Sequence, residues 1–363
     1  MNASHDTLDW KAYCEQELQL VQRILERLGF ALEETQVHIG GERAVISGNK
    51  LVLLGYRLSD KKRVVIKASS RSEGKQELRH ARTCQRLLND IHFAHKIFLS
   101  PEELIWHEES GAVISITEFI EQEAAFLERP FEEQFFLALK TFEMQESAHA
   151  TTYGHVHSIQ NTFGIWDSST YIQTFHGYVQ TIHSLLKDHP SVQTTVMRAE
   201  EVLKEHQERI QQYLGFLTHT DFVPHNIRVV GRDIYLLDHS AIRFGNKYDG
   251  WARFLNFMLL YHRELEQALV TYVKENRTPE ESEALRLMRI FRLGELIWYY
   301  TKRLEKTSGH LHQLDQARVL FWADVLASVI NKTEVPTTRI QAYQTERDTL
   351  RSEEEKRRQQ GLH

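Results

Sequence analysis

Cysteine is nearly missing from this chain. Cys14 and Cys84 are the only two in 363 residues, too few and too far apart for a disulfide framework, so a reducing, cytoplasmic setting is expected. A basic surplus is missing too: 44 Lys and Arg stand against 50 Asp and Glu, a formal charge of −6. Proteins that bind nucleic acid usually carry the opposite balance or a basic stripe. No apolar run approaches membrane-spanning length. The start, Met1-Asn2-Ala3-Ser4-His5-Asp6, lacks the basic-then-apolar pattern of a secretory leader. Neither nucleic acid nor membrane is therefore expected as a partner. Internal repeats are absent. What is there, 41% hydrophobic residues, suffices for two lobes and a substantial core.

The most informative stretch is Thr218-His219-Thr220-Asp221-Phe222-Val223-Pro224-His225-Asn226, followed by apolar runs Ile227 to Val230 and Ile234 to Leu237 and then Asp238. The pattern His-x-Asp-x-x-x-x-Asn supplies a carboxylate to take the proton of an attacking hydroxyl. Five residues on, it supplies an amide oxygen to hold a metal ion. Gly231-Arg232-Asp233 has the composition of a hairpin loop. Pairing across it is expected to set Val230 opposite Ile234 and Asn226 opposite Asp238, so that two oxygen ligands meet at the hairpin mouth. Mg²⁺ is commonly held by one or two protein oxygens together with phosphates and water. Three fixed positions alone would arise by accident in about one chain in twenty of this length; Pro224 and the mirrored aspartate make the accident far rarer. The competing reading is a turn in which Asp221 and Asn226 only cap the chain between two strands.

At these residues the chain resembles the aminoglycoside phosphotransferase and choline kinase-like family, whose catalytic loop reads His-Gly-Asp-x-x-Pro-x-Asn. His219, Asp221, Pro224 and Asn226 match, while Thr220 stands where the family usually has Gly. Leu237-Asp238-His239 corresponds to the family's Ile-Asp-Trp, and Asp249 to a later aspartate that braces the catalytic loop. The resemblance implies an α+β, two-lobed protein-kinase-like fold with a small antiparallel-sheet N-lobe and a larger, mostly helical C-lobe. The expected division is an N-terminal helix in 1–35, a nucleotide-binding N-lobe in 36–120, a helical C-lobe with the catalytic hairpin in 121–335 and a charged tail in 336–363. It implies ATP and Mg²⁺ as cofactors and a small-molecule hydroxyl as acceptor, in a monomer or homodimer.

Along the chain, Cys14, Leu18, Val21, Leu25 and Leu28 recur at intervals of four and three, which predicts a helix over Leu8–Leu28 stopped by Gly29. Strands are expected at Ala44–Ile46, Leu51–Tyr56 and Val64–Ile66, with turns at Ser47-Gly48-Asn49 and Ser59 to Lys62. Gly48 and Asn49 lie where the resembled family covers its nucleotide, and Gly48 would let backbone amides approach phosphate oxygens. An ordinary hairpin turn is the alternative, and Gly40-Gly41 is a second candidate. Lys67 ends an apolar strand. In a kinase-like site it would neutralise the α and β phosphates, fixed by an acid on the next helix. Glu77, on one face with Ala81, Cys84 and Leu88, is that acid, and Glu73 is the runner-up. The backbone of Glu118 and Ile120, at the crossing between lobes, is assigned to the adenine edge. His149, His155 and His157 lack cysteine or carboxylate at ligand spacing and read as solvated or capping residues. Glu295 to Tyr300 reads as a core helix, with an aromatic pocket wall as the alternative. The tail Arg339 to Gln360 reads as a solvated helix or as disordered.

Asp221 is thus the expected base, with His219 orienting the loop by hydrogen bonding; Asn226 and Asp238 are the expected metal ligands. Two rivals stand. A protein Ser/Thr kinase would carry Arg in place of Thr220 and Asp-Phe-Gly in place of Asp238-His239-Ser240. A non-catalytic pseudokinase would only bind nucleotide or a partner. The acceptor, whether aminoglycoside, amino alcohol or sugar-like, is not encoded in any decisive spacing.

Overall fold

The computed structural model describes residues 3–36, 49–93, 96–353 and 355–356. Helix α1, Ala3–Leu28, lays Cys14, Val21 and Leu25 into the first core, with Leu18 and Leu28 beside them. Gly29 follows at φ +82°. Five strands form one antiparallel sheet in the order β1-β2-β3-β5-β4: Phe30–Leu32, Leu51–Arg57, Arg63–Ser69, Glu103–Glu109 (β4) and Ala112–Glu118 (β5). β1 was not anticipated, because three residues are too few to display an alternation. The expected strand Ala44–Ile46, Gly40-Gly41 and Gly48 lie outside the described residues. Helix α2, Ser72–Asp90, follows β3 and turns Leu78, Cys84 and Leu88 inward.

The larger lobe holds a second, mainly helical core. Its helices are α3 (Phe131–Ser147), α4 (His149–Gly154), α5 (Val156–Phe163), α6 (Ser168–Leu185), α7 (Pro190–Glu205) and α8 (Gln207–Gln212). After four short strands come α9 (Asp249–Tyr261), α10 (Arg263–Asn276), α11 (Pro279–Leu304), α12 (Gly309–Ile330) and α13 (Thr337–Leu350). Trp251 and Phe254 of α9 pack with Phe142 of α3 and Phe222, so the core closes directly beneath the His219–Asn226 loop. Gly250 is needed there. A Cβ would stand 2.9 Å from the carbonyl oxygen of His219, so any side chain would push α9 away from the loop.

The tail departs from expectation. Ile340, Tyr343 and Arg347 of α13, spaced three and four apart, are buried. Tyr343 stacks on Phe321 with centroids 4.1 Å apart, the Gln344 amide donates to the Leu260 carbonyl at 2.7 Å, and the Arg347 guanidinium lies 5.6 Å from the Tyr261 ring. Only one of these three residues is aliphatic, so the buried stripe was hidden by a polar composition. Tyr343→Ala should destabilise the protein by about 3 kcal/mol, the typical cost of truncating a buried aromatic. Glu346→Ala, on the exposed face, should stay within about 0.5 kcal/mol. Urea unfolding of the two variants checks both.

Candidate active site

The His219–Asn226 loop is suspended between two strands and two helices. β6, Phe216–His219, pairs with β9, Ile242–Gly245, with His219 opposite Ile242. The amide and hydroxyl of Thr220 both donate to the Ala241 carbonyl, at 2.9 and 2.7 Å, and the Thr220 carbonyl accepts from Arg292 of α11 at 2.7 Å. With Thr220 held at three points, Asp221 is presented at a fixed place. Its carboxylate receives Asn226 Nδ2 at 2.7 Å on one oxygen and Arg253 Nε at 2.9 Å on the other. The capping bond between Asn226 and Asp221 is thus present, and it leaves the Asn226 carbonyl oxygen pointing away from the carboxylate.

His219 is fully buried; among the described residues neither ring nitrogen meets a partner at strict hydrogen-bond geometry, while the Asp238 backbone acts on the ring from nearby. Burial lowers its pKa and keeps the ring neutral, against the pull of Asp238 and Asp221. It steadies the loop by packing against Phe222.

The hairpin register differs by one residue. β7, Ile227–Val230, pairs with β8, Asp233–Leu236, with Val230 opposite Asp233 and Ile227 opposite Leu236. The loop is therefore the two residues Gly231-Arg232, with Gly231 at φ +59°. Two-residue loops of this kind match the twist of the strands, and glycine supplies the left-handed conformation without strain. Asn226 consequently faces Leu237, whose amide donates to the Asn226 carbonyl at 2.9 Å, and Asp238 comes one residue further along. The Ser240 hydroxyl donates to Asp238 at 2.6 Å. Burial alone would raise the Asp238 pKa; Lys50, Lys67 and this hydroxyl outweigh it and bring the carboxyl down to about 2. Next to it His239 is buried and its pKa falls to about 4, first from burial and then from His219.

The expected Lys67–Glu77 pair is replaced. Glu77 bonds Lys50 at 2.5 Å, while the Lys67 ammonium donates to the Leu237 carbonyl at 3.2 Å, beside Asp238. The runner-up, Glu73, is exposed. Register explains the exchange. Val52 is the cross-strand partner of Lys67, so alternation puts Lys50, two residues earlier, on the same face of the sheet. Two lysines therefore face the Asp238 side, and the one nearer α2 takes the glutamate. Burial lowers the Lys67 pKa, Lys50 lowers it further, and Asp238 and Glu77 oppose both.

Of the remaining expected contacts, Gly48 lies outside the described residues, and the Asn49 carbonyl accepts the Ser69 hydroxyl at 2.6 Å. The Glu118 amide is committed to the Glu102 carbonyl at 3.0 Å and so is not open to an adenine edge. His149 donates to the Gly215 carbonyl at 2.8 Å and stacks on Phe216. Among the described residues no group of three or more His, Cys, Asp or Glu could hold a metal by itself. Trp298 lies against Tyr178, and Glu295 pairs with Arg292 at 2.8 Å.

Asp249 opens α9 and is wholly buried. Tyr171 and Arg243 reach one of its oxygens at 2.9 Å each, and Arg292 lies 3.6 Å from the other. It braces the catalytic loop indirectly, through Arg292 and the Thr220 carbonyl. Neither Arg253 nor Arg292 was singled out from the sequence. A signal for Arg253 existed, since it follows Asp249 by four residues and so shares its helix face.

Solved structures share this arrangement of lobes. A thermostable mutant of aminoglycoside phosphotransferase APH(4)-Ia, in ternary complex with ADP and hygromycin B, aligns over 87% of this chain and 99% of its own at TM-score 0.59 and 13% identity. Macrolide 2'-phosphotransferase type I aligns over 83% and 96% at TM-score 0.54 and 11% identity. The fold is that of the aminoglycoside and macrolide phosphotransferases. A GDP complex of an aminoglycoside 2'-phosphotransferase mutant shares this phosphotransferase fold over 77% of the chain and 88% of its own, at TM-score 0.55 and 11% identity. No family model matches the sequence, and no curated protein does.

Two tests follow from the braces of this phosphotransferase fold. Asp249→Asn leaves Arg243 and Arg292 without their shared buried counter-charge, and should cost about 3–5 kcal/mol in chemical denaturation. Glu281, at the start of α11, binds Lys247 at 2.5 Å and Tyr248 at 3.0 Å, just before Asp249. Burial would raise its pKa, but Lys247 and the Thr278 backbone hold it at about 2, below the ordinary 4.5. A depressed carboxyl stabilises the fold above its unfolded pKa and loses that contribution as pH falls towards the folded value. Between about pH 5 and 2, wild type should therefore lose about 1 kcal/mol more stability than Glu281→Gln, the figure being reduced because solvent reaches the pair.

Proposed function

We propose that this chain is an ATP-dependent phosphotransferase that moves the γ-phosphate of ATP to a hydroxyl of a small molecule. The observation that carries the proposal is the convergence of Asp221, Asn226, Asp238 and Lys67 at the mouth of one hairpin, at the junction of two lobes. Asp221 accepts the proton of the acceptor hydroxyl as it attacks, and its bonds to Asn226 and Arg253 aim the carboxylate. Lys67 neutralises phosphate oxygens of the nucleotide. Positioning and charge stabilisation make up most of such catalysis.

The donor set suits Mg²⁺. Asp238 is held ionised with one oxygen on Ser240, and the Asn226 amide nitrogen is turned to Asp221, leaving a hard oxygen from each residue. When bound there, the ion would neutralise bridging phosphate oxygens; Asn226 and Asp238 would hold it.

The path after Asp238 favours a small acceptor over a protein. It passes through the turn His239–Ala241 and β9 into α9 at Asp249, which leaves no length for the activation segment of a protein kinase. Both cysteines are free and buried, which suits a reducing cytoplasm. Among the described residues no helix is long and apolar enough to cross a membrane. Aminoglycosides, amino alcohols and sugars are the acceptor classes to try, the first because the structurally similar proteins include aminoglycoside phosphotransferases.

The test is ADP release with Mg·ATP across amino alcohols, sugars, nucleosides and aminoglycosides. Turnover with one acceptor should fall by roughly 10²- to 10⁴-fold in Asp221→Asn, with the Mg·ATP-dependent rise in melting temperature retained. Absence of both ADP release and thermal shift in the wild type would refute the proposal.

A further inference from the structure

We infer that Arg253 is a further catalytic residue of this site, its two Nη groups meeting the oxygens of the phosphoryl group in transit. This rests on the phosphotransferase reading above. Arg253 uses only Nε on Asp221, at 2.9 Å. Among the described residues neither Nη has a protein acceptor, although the side chain is only 16% exposed. A guanidinium is a planar fork of five donors. Here one prong steadies the base, and the rest of the fork has no protein acceptor among the described residues. A cation with open donors in such a place is an oxyanion receptor.

The distribution of charge says which oxyanion. Lys50 and Lys67 are the lysines that act on Asp238, and they serve the metal and nucleotide side. On the acceptor side, Arg253 is bonded to Asp221 through Nε. Among the described residues Arg292 is engaged by Asp249, Glu295 and the Thr220 carbonyl, and Arg243 by Asp249. The transferring group must pass between the metal ligands and the hydroxyl held by Asp221, and its charge spreads over three equatorial oxygens. Arg253 is the open cation on the receiving side of that path.

The test needs no acceptor. Binding of Mg·ADP alone and of Mg·ADP with tetrafluoroaluminate, a planar mimic of the phosphoryl group in flight, is measured by calorimetry for wild type, Arg253→Gln and Arg253→Lys, with melting temperatures as the check on folding. Mg·ADP affinity should be the same within about twofold in all three, because that group lies on the Lys67 side. The additional affinity conferred by the fluoride complex should fall roughly 10- to 100-fold in Arg253→Gln, the worth of a hydrogen bond to a charged group. Arg253→Lys, which keeps the charge and loses the fork, should fall between. Full retention of that gain in Arg253→Gln would reduce Arg253 to a positioning residue for Asp221 and overturn the inference. Failure of the wild type to bind Mg·ADP would instead overturn the phosphotransferase reading, and this inference with it.

Discussion

A carboxylate with no access to water must be matched by charge and hydrogen bonds where it lies, and Asp249 is matched from three directions. Tyr171 comes from α6, Arg243 from β9 and Arg292 from α11. Each partner belongs to a different layer of the larger lobe, so one buried group fixes how α6, α9 and α11 sit around β9. Arg292 then passes the constraint on through the Thr220 carbonyl. Asp221 is the next residue. The position of the Asp221 carboxylate is thus constrained by interior electrostatics two contacts away.

The site divides into two electrostatic halves. Lys50, Lys67 and Asp238 form one: burial disfavours the Asp238 charge, and Lys50, Lys67 and the Ser240 hydroxyl outweigh it, while Lys67 is itself pulled down by burial and by Lys50. Asp221, Asn226 and Arg253 form the other. Two contacts at Leu237 join the halves: its amide donates to the Asn226 backbone carbonyl, and its carbonyl accepts the Lys67 ammonium. Leu237 therefore ties the sheet lobe to the catalytic hairpin, through its peptide groups and not its side chain.

What could be read in advance follows from this division. The His219, Asp221, Asn226 and Asp238 spacing is local in the chain, and so are the helix over Leu8–Leu28 and the apolar strand Val64–Ile66; all were visible, although that strand runs on through Lys67 to Ser69. Contacts that depend on register or on distant elements were not. A two-residue loop in place of a three-residue one moved Asn226 from opposite Asp238 to opposite Leu237. The cross-strand pairing of Val52 with Lys67 brought in Lys50, which took Glu77. Arg292 lies 72 residues from the Thr220 it holds, and no local pattern announces that. The buried face of α13 escaped notice because Tyr343 and Arg347 bury long side chains with polar ends, which composition counts as solvated.

Thr220 shows how a departure from a motif is absorbed. Both its amide and its hydroxyl go to the Ala241 carbonyl, so its side chain acts as a second backbone tether between β6 and the turn after Asp238. A glycine in that position would keep the amide bond and lose the hydroxyl one. The loop would still hang from Ala241 and from Arg292, because both of those contacts are made by the backbone of residue 220. The position therefore tolerates different side chains for a physical reason: its structural duty falls largely on peptide groups.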